Sequence, residues 1–178
     1  MGIADGILTN LVLTVHLMLK YVNYDIVFQE IPNETTLAIS ISNCPCHCKG
    51  CHSSYLAEDI GNFLDLGALM RLIDKNEGIT CVAFMGGDSD PGSVSMLAGI
   101  VQTKGLLTAW YSGKQELSKD IDIKNFNFIK LGPYIEELGG LKSPTTNQRM
   151  YEVKMSRELD EDGNPVYGLE DITNLFWK

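Results

Sequence analysis

Four cysteines and two histidines lie within ten residues of this chain, in the segment NCPCHCKGCH at positions 43–52. Thiolates and imidazoles are ligands that zinc, copper and iron–sulfur clusters take from proteins. Cys44, Cys48 and Cys51 follow the spacing C-x3-C-x2-C, whereas Cys46 lies outside it. The segment therefore predicts a metal centre held by Cys44, Cys48 and Cys51, with Cys46 as a bystander in the same loop.

The number of ligands in this loop helps to separate kinds of metal centre. A structural zinc usually takes two pairs of ligands from separate segments, and no distant second pair is present in the sequence. An electron-transfer iron–sulfur cluster usually takes four cysteines. Three cysteines can hold three corners of a 4Fe-4S cluster and leave the fourth iron able to bind a small molecule. The spacing favours a cluster that takes part in chemistry, while a zinc site or an inert group of thiols stays open.

The segments around this loop alternate between strand-like and helix-like patterns, which is typical of an α/β domain. Strands are predicted over 36–42, 79–85, 106–111, 126–131 and 149–153, and helices over 66–73, 93–103 and near Gln115. The sequence Asp160-Glu161-Asp162-Gly163 is interpreted as a hairpin turn, because it lacks the ligand pattern of a calcium loop.

The residues best suited to a site follow directly after predicted strands. The cysteine loop follows the strand that ends at Ser42, and three further loops follow later strands: Gly86-Gly87-Asp88, Ser112-Gly113 and Gly132-Pro133-Tyr134. The carboxyl ends of parallel strands share one edge of a sheet or barrel. We therefore expect one site, assembled from loops that are far apart in the sequence.

Composition limits the classes of function. The chain has 178 residues, of which 44% are hydrophobic and 21% charged, as expected for one globular domain with a core. Its formal net charge of -9 argues against broad nucleic-acid binding, which usually needs a basic face. The lone Cys81 beside one cysteine cluster makes a poor disulfide framework, so the protein is expected in a reducing cytoplasm. Cys81 itself lies in an apolar strand-like segment and is expected in the core.

The first residues are apolar but predict no membrane anchor. Residues 7–19 (ILTNLVLTVHLML) fall short of the roughly 20 residues that cross a bilayer. They also lack the basic flank and the small-residue cleavage site of an export signal. We interpret residues 1–17 as an upstream leader of a chain that begins naturally near Met18.

The cysteine spacing resembles that of the radical S-adenosylmethionine superfamily, and within it the activating proteins of anaerobic ribonucleoside-triphosphate reductase. Many superfamily members carry an aromatic residue just before the third cysteine, where this chain has Gly50; the activating proteins tolerate glycine there. The resemblance covers about Asp25 to Val153 and rests on these segments in order: Asp25-Ile26-Val27, the cysteine loop, Phe84-Met85-Gly86-Gly87-Asp88, Trp110-Tyr111-Ser112-Gly113, Gly132-Pro133-Tyr134-Ile135 and Thr146-Asn147-Gln148-Arg149.

The resemblance implies a fold and a division of the chain. The expected fold is an incomplete (β/α) barrel, open on one side and with mostly parallel strands, since fewer than eight βα units fit the matched segment. The radical S-adenosylmethionine domain is expected over residues 18–155, and residues 156–178 are expected to form an extension of unknown role.

The resemblance also implies cofactors and site residues. Cys44, Cys48 and Cys51 would bind a 4Fe-4S cluster. S-adenosylmethionine would chelate the open iron through its methionyl amino and carboxylate groups. Contacts to this second cofactor would come from the cysteine loop and from the glycine loop, namely Gly50, Cys51, His52, Gly86, Gly87 and Asp88. Asp88 would accept a hydrogen bond from the methionyl ammonium.

The implied function is the activation of a partner enzyme. One electron from the reduced cluster, supplied by a donor such as flavodoxin or ferredoxin, cleaves S-adenosylmethionine into methionine and a 5'-deoxyadenosyl radical. That radical abstracts a hydrogen from a glycine of the reductase's glycyl-radical subunit. Other readings stay open: an activase of another glycyl-radical enzyme, a radical enzyme acting on a small molecule, or a noncatalytic iron–sulfur or zinc-binding module. Partners among nucleic acids and membranes are not expected.

Overall fold

The computed structural model describes residues 19–177, and these form a single mixed β-sheet with two α-helices. The strands are β1 (Lys20–Val27), β2 (Thr36–Ile41), β3 (Asn62–Phe63), β4 (Cys81–Met85), β5 (Leu107–Tyr111), β6 (Phe128–Leu131), β7 (Arg149–Leu159) and β8 (Pro165–Asp171). The helices are α1 (Leu66–Lys75) and α2 (Pro91–Gln102), and short 3-10 turns span Ser54–Ala57, Ile123–Asn125 and Thr173–Phe176.

The strand order is β3-β1-β2-β4-β5-β6-β7-β8. The four central strands β2, β4, β5 and β6 are parallel, and every pairing outside them is antiparallel. The predicted incomplete (β/α) barrel with mostly parallel strands is therefore wrong, because this is an eight-stranded mixed sheet with only two α-helices in the described chain.

The connections explain the difference. Parallel neighbours need a crossover of a dozen or more residues, and only the links β2–β4 and β4–β5 carry an α-helix. The link from β5 to β6 has no helix at the position predicted near Gln115, and holds only the 3-10 turn Ile123–Asn125. The links 28–35 and 160–164 are too short for a crossover, so β1 and β8 pair antiparallel with their sequence neighbours.

Both helices begin at capped, sequence-encoded positions. The Asp65 carboxylate accepts a hydrogen bond from the Ala68 amide at 2.7 Å, and Asp90 accepts one from the Ser93 amide at 3.1 Å. Pro91 stands at the start of α2, where its missing amide hydrogen costs nothing. Both helices lie on one face of the sheet, where their apolar residues pack on Phe84, Trp110 and other buried side chains.

The opposite face of the sheet carries small side chains and the candidate site. Cys81, Ala83 and Ala109 are buried on this face, together with Met150 of β7 and Phe176 near the end of the chain. Cys81 is fully buried, which confirms its expected place in the core. Because side chains alternate along a strand, Met85, Tyr111 and Lys130 point to this same face, and Met85 pairs with Tyr111 and Tyr111 with Lys130 across the strands.

The later part of the described chain forms a long hairpin. β7 continues across residues 155 and 156 and pairs with β8. The predicted turn at 160–163 is confirmed: Asp160 accepts hydrogen bonds from the amides of Asp162 and Asn164 at 2.9 and 2.8 Å. The predicted leader 1–17 and the start near Met18 lie outside the described residues. Within residues 19–177 no helix has the length and apolar character that a membrane crossing requires.

Candidate metal and cofactor site

The cysteine loop follows β2 at the carboxyl edge of the parallel strands, as expected from the sequence. The Cys44 amide donates to the Leu56 carbonyl at 2.8 Å, and the Cys51 amide donates to the Cys48 carbonyl at 3.2 Å. His47 and Gly50 adopt positive φ angles of 45° and 74°. These turns leave the side chains of Cys44, Cys46, Cys48 and Cys51 partly exposed.

Asp88 links the cysteine loop to the ends of β4 and β5. Its carboxylate accepts hydrogen bonds from the Ser112 hydroxyl at 2.5 Å and from the Gly113 amide at 2.9 Å, and lies 3.8 Å from the Cys46 sulfur. Gly113 packs so closely on Cys46 that a Cβ there would come within 2.5 Å of its sulfur. Loops from three strands thus meet at this edge of the sheet.

Gly86 and Gly87 shape the turn that carries Asp88. Both have positive φ angles, 102° and 89°, which residues with a Cβ rarely adopt. A Cβ on Gly87 would stand 2.5 Å from Val94 Cγ2, so helix α2 also requires glycine there. The turn is further held by the Trp110 indole, which donates to the Gly86 carbonyl at 2.8 Å.

Cys46 lies close to two other metal-binding side chains, although it falls outside the C-x3-C-x2-C spacing. Its sulfur, the Cys44 sulfur and a carboxylate oxygen of Asp88 lie within 4.8 Å of one another, the one such group of three among residues 19–177. Burial, followed by the charge of Asp88, raises the pKa of the Cys46 thiol to about 12. Without a metal, Cys46 is therefore protonated at neutral pH.

A cavity of about 600 Å³ lies beside the cysteine loop, on the sheet face opposite the helices. Gly50, Cys51 and His52 line it from the loop, and the row Met85, Tyr111 and Lys130 lines it from the sheet. Its volume falls in the range of pockets that bind small molecules and cofactors. Of the predicted cofactor contacts, the three loop residues lie at this cavity.

The predicted contacts of the glycine loop lie elsewhere. Gly86, Gly87 and Asp88 are not among the residues that line the cavity, and Asp88 instead faces Cys46 and Gly113. Only the contacts predicted from the cysteine loop therefore line this cavity. Their predicted roles stay predictions.

Lys130 was not anticipated from the sequence. It is only 7% exposed, and its ammonium donates to the carbonyls of Gly132 at 2.6 Å and Ser112 at 3.3 Å. Burial lowers the pKa of Lys130 to about 8, against the opposing effect of Asp88, Cys48, Cys46 and Cys51. A lysine in the apolar strand FIKL is the one sequence signal that could have drawn attention to it.

Tyr111 and Gln148 are two fixed side chains of the cavity wall. The Tyr111 hydroxyl donates to the Glu30 carbonyl at 2.5 Å, and burial raises the pKa of Tyr111 well above its usual value. Gln148 is buried and also lines the cavity, next to Asn147, whose amide donates to the Pro133 carbonyl at 2.9 Å. The predicted family segment at 146–149 thus supplies one wall of the cavity and fixes the loop after β6.

A hydrogen bond joins two loops at this cavity. Lys142 donates to the Gln29 side-chain carbonyl at 2.8 Å, and both residues line the cavity.

Comparison of this chain with protein-family models, curated proteins and solved structures finds no match.

Proposed function

We propose that this protein is a radical S-adenosylmethionine enzyme that activates a glycyl-radical partner, the anaerobic ribonucleoside-triphosphate reductase. One observation carries the proposal: Cys51 belongs both to the three-cysteine loop and to the wall of a cavity of about 600 Å³. A metal centre on this loop would therefore stand directly beside a space for a small molecule. The proposal does not depend on a barrel fold.

The donor set fits a 4Fe-4S cluster. Three partly exposed thiols in one loop match the preference of iron–sulfur clusters for cysteine thiolates. Cys44, Cys48 and Cys51 do not form a group as tight as Cys44, Cys46 and Asp88, and a cubane does not require this because each thiolate binds a different iron. Cys44, Cys48 and Cys51 would hold the cluster in this proposal.

A 4Fe-4S cluster held by Cys44, Cys48 and Cys51 would supply one-electron reduction of S-adenosylmethionine. The chain's own residues orient the ligand and exclude water. Gly50 and His52 line the cavity from the cysteine loop and Gln148 lines it from the segment before β7, so these residues would position the ligand from two sides. Met85 provides apolar surface between them, and Tyr111 is held in place by its hydrogen bond to Glu30.

The same proposal includes a reducing compartment and two protein partners. Four partly exposed thiols in one loop favour the cytoplasm, where thiols stay reduced. A small electron-transfer protein such as flavodoxin or ferredoxin would supply the electron. The glycyl-radical subunit of the reductase would receive the radical.

Product formation after cluster reduction tests this function. The protein is loaded anaerobically with iron and sulfide, reduced with dithionite and mixed with S-adenosylmethionine, and 5'-deoxyadenosine is measured by chromatography. We expect this product, and with the reductase present a glycyl radical in the electron paramagnetic resonance spectrum. A fully loaded cluster that yields no 5'-deoxyadenosine, even with the reductase present, contradicts the proposal. Radical formation on another glycyl-radical enzyme alone would reassign the partner.

A noncatalytic zinc-binding module is the second candidate, favoured by the close group of Cys44, Cys46 and Asp88. Zinc takes cysteine thiolates and aspartate carboxylates as ligands in proteins, and these three side chains would fill three positions of a tetrahedral site. Because this group takes Cys44 from the cluster ligands, the two metals would compete for the same loop.

Two cysteine variants separate these candidates. We expect Cys48→Ala to lose the iron–sulfur absorbance and all cofactor cleavage, and Cys46→Ala to keep both largely unchanged, because only Cys48 is a proposed cluster ligand. A zinc-binding module would instead keep its zinc in Cys48→Ala and lose it in Cys46→Ala, as measured by metal analysis. Equal loss of iron in both variants contradicts the ligand assignment.

A further inference from the structure

Lys130 carries a positive charge in a place where charges are costly. Its side chain is 7% exposed, and removal of an ammonium group from water is unfavourable unless a counter-charge compensates it. Both of its hydrogen-bond acceptors, the carbonyls of Ser112 and Gly132, are uncharged. Among residues 19–177, no carboxylate lies within the 4.0 Å of a salt bridge to this ammonium. The fold thus maintains a buried cation without an ion-pair partner within 4.0 Å, and the charge of Asp88 favours its protonated form from farther away.

The position of Lys130 identifies the negative charge that this cation can offset. Lys130 and Cys51 line the same cavity. Ser112, which accepts from the lysine, is followed by Gly113, which packs on the Cys46 sulfur. An ammonium has three hydrogens to donate, and the two carbonyl acceptors among residues 19–177 leave one of them without a partner.

The charge of a metal-loaded cysteine loop is negative. Three thiolates around an oxidised 4Fe-4S cluster, whose iron–sulfide core carries a charge of +2, leave a net charge of -1, and one added electron makes it -2. A fixed cation nearby in a low-dielectric setting favours the more negative state. The exposed Lys114 on the neighbouring loop acts on the same loop through solvent, where charges are screened.

We propose that Lys130 is a positioning residue that stabilises the negative charge of the metal-loaded cysteine loop and thereby raises the reduction potential of its cluster. The part of this inference that concerns the reduction potential rests on the proposed function, because it requires an iron–sulfur cluster on the cysteine loop. In the step concerned, the cluster gains one electron from an external reductant, and no bond forms or breaks. Lys130 supplies fixed charge and does not exchange a proton.

The reduction potential of the loaded protein tests this role. Midpoints are measured by anaerobic titration with dithionite and mediator dyes, followed by electron paramagnetic resonance, for the wild type, Lys130→Met, Lys130→Gln and Lys130→Arg. Loss of the charge in the Met and Gln variants is expected to disfavour reduction about tenfold, a shift of about 59 mV to lower potential for one electron. The Arg variant is expected to recover at least half of this shift.

Lys114→Met is the matched control, because it removes the same charge from an exposed neighbour of the loop. We expect its midpoint to shift less than a third as far as that of Lys130→Met. Circular dichroism and iron content verify that each variant is folded and loaded with iron. If Lys130→Met is not folded or not loaded, Lys130→Gln replaces it as the neutral variant. An unchanged midpoint in the neutral Lys130 variants, or an equal shift in Lys114→Met, overturns the proposal.

A second measurement keeps this inference separate from the proposed function. Cobalt(II) is titrated into the metal-free wild type, where Cys44, Cys46 and Asp88 form the one close group of three metal-binding side chains among residues 19–177. Their cobalt complex, with two thiolates and one carboxylate, also carries a net charge of -1. Lys130→Met is expected to weaken cobalt binding about tenfold, read from the thiolate-to-cobalt absorbance. If the wild type assembles no cluster, the proposed function fails and this titration alone decides the role of Lys130. Equal cobalt affinity of the wild type and Lys130→Met overturns that role.

Discussion

At the scale of single residues, the candidate site depends on two glycines whose side-chain space is already occupied. Gly87 and Gly113 both lie at strand ends, and a Cβ on either would come within 2.5 Å of a neighbouring side-chain atom. The neighbours are Val94 of helix α2 and the Cys46 sulfur, respectively. Close packing at these glycines lets the cysteine loop and α2 approach the sheet edge together.

Gly87→Ala is expected to destabilise the protein for two separable reasons. Alanine at a positive φ costs about 1–2 kcal/mol, and the contact with Val94 adds about 1–3 kcal/mol of overpacking. Gly105→Ala is the matched control, since Gly105 has a similar φ of 75° but no atom within 4 Å of its added Cβ. Urea unfolding should show a larger loss for Gly87→Ala; equal losses would mean that Val94 moves away without cost.

The chemistry of the loop was more predictable than its surroundings at this scale. Ligand types and spacing are local in sequence, so Cys44, Cys48 and Cys51 could be selected without a structure. Lys130 could not, because its importance depends on the cross-strand register that sets it beside Tyr111 and on the burial that removes it from water. The proximity of Cys46 to Asp88 likewise arises from a contact between residues 42 positions apart.

At the scale of elements, α1 connects β3 to β4 and thereby helps to set the parallel pairing of β2 with β4. Its first turn is capped by Asp65, and Leu69 and Leu72 are buried against the sheet. The helix has a basic residue, Lys75, in its last turn, as the helix dipole favours. Local sequence signals and tertiary packing agree along this element, which explains why it was predicted correctly.

Removal of the Asp65 cap is expected to weaken α1. Asp65→Ala should lower the free energy of unfolding by about 0.5–2 kcal/mol, because the Ala68 amide loses its acceptor. Asp74→Ala is a suitable control: Asp74 is exposed in the last turn of the same helix, where a carboxylate is unfavourable to the dipole. Chemical denaturation should show little or no loss for this control, within about 0.5 kcal/mol. A similar loss in both variants would contradict the cap's role.

Elements with mixed polarity were the ones the sequence did not reveal. β4 (CVAFM) has four fully buried residues in a row and was recognised, whereas β1 (KYVNYDIV) is only partly buried, β8 (PVYGLED) is largely exposed, and neither carries a long apolar run. The barrel was implied by the family resemblance. β1 and β8, which add antiparallel pairs to the sheet, have no sequence signal comparable to that of β4 that could have contradicted it.

At the scale of the whole molecule, stability is expected to be highest at the centre of the sheet. β2 and β4 are buried and flanked by strands on both sides, while β8 is an exposed strand with β7 as its one neighbour. Local opening costs least where little apolar surface is buried. The central strands of the sheet are therefore expected to open less readily than the β7–β8 hairpin at one side.

Hydrogen exchange followed by mass spectrometry can measure this difference in stability. We expect the amides of β2 and β4 to exchange slowest, near the rate of global unfolding, and those of β8 to exchange fastest among the strands longer than two residues. Both sets are hydrogen-bonded in the same sheet, so hydrogen bonding alone cannot produce the contrast. Equal protection of β4 and β8 would contradict this picture.

The strand order also has a consequence for self-association. One edge strand, β3, is only two residues long, and the other, β8, begins with Pro165 and ends with Glu170 and Asp171. Short edge strands, proline and charged side chains all hinder the addition of a further strand from a second chain. The sheet thus ends at both sides in a form that resists fibril growth, which favours a protein that can be concentrated and stored without strand-to-strand aggregation.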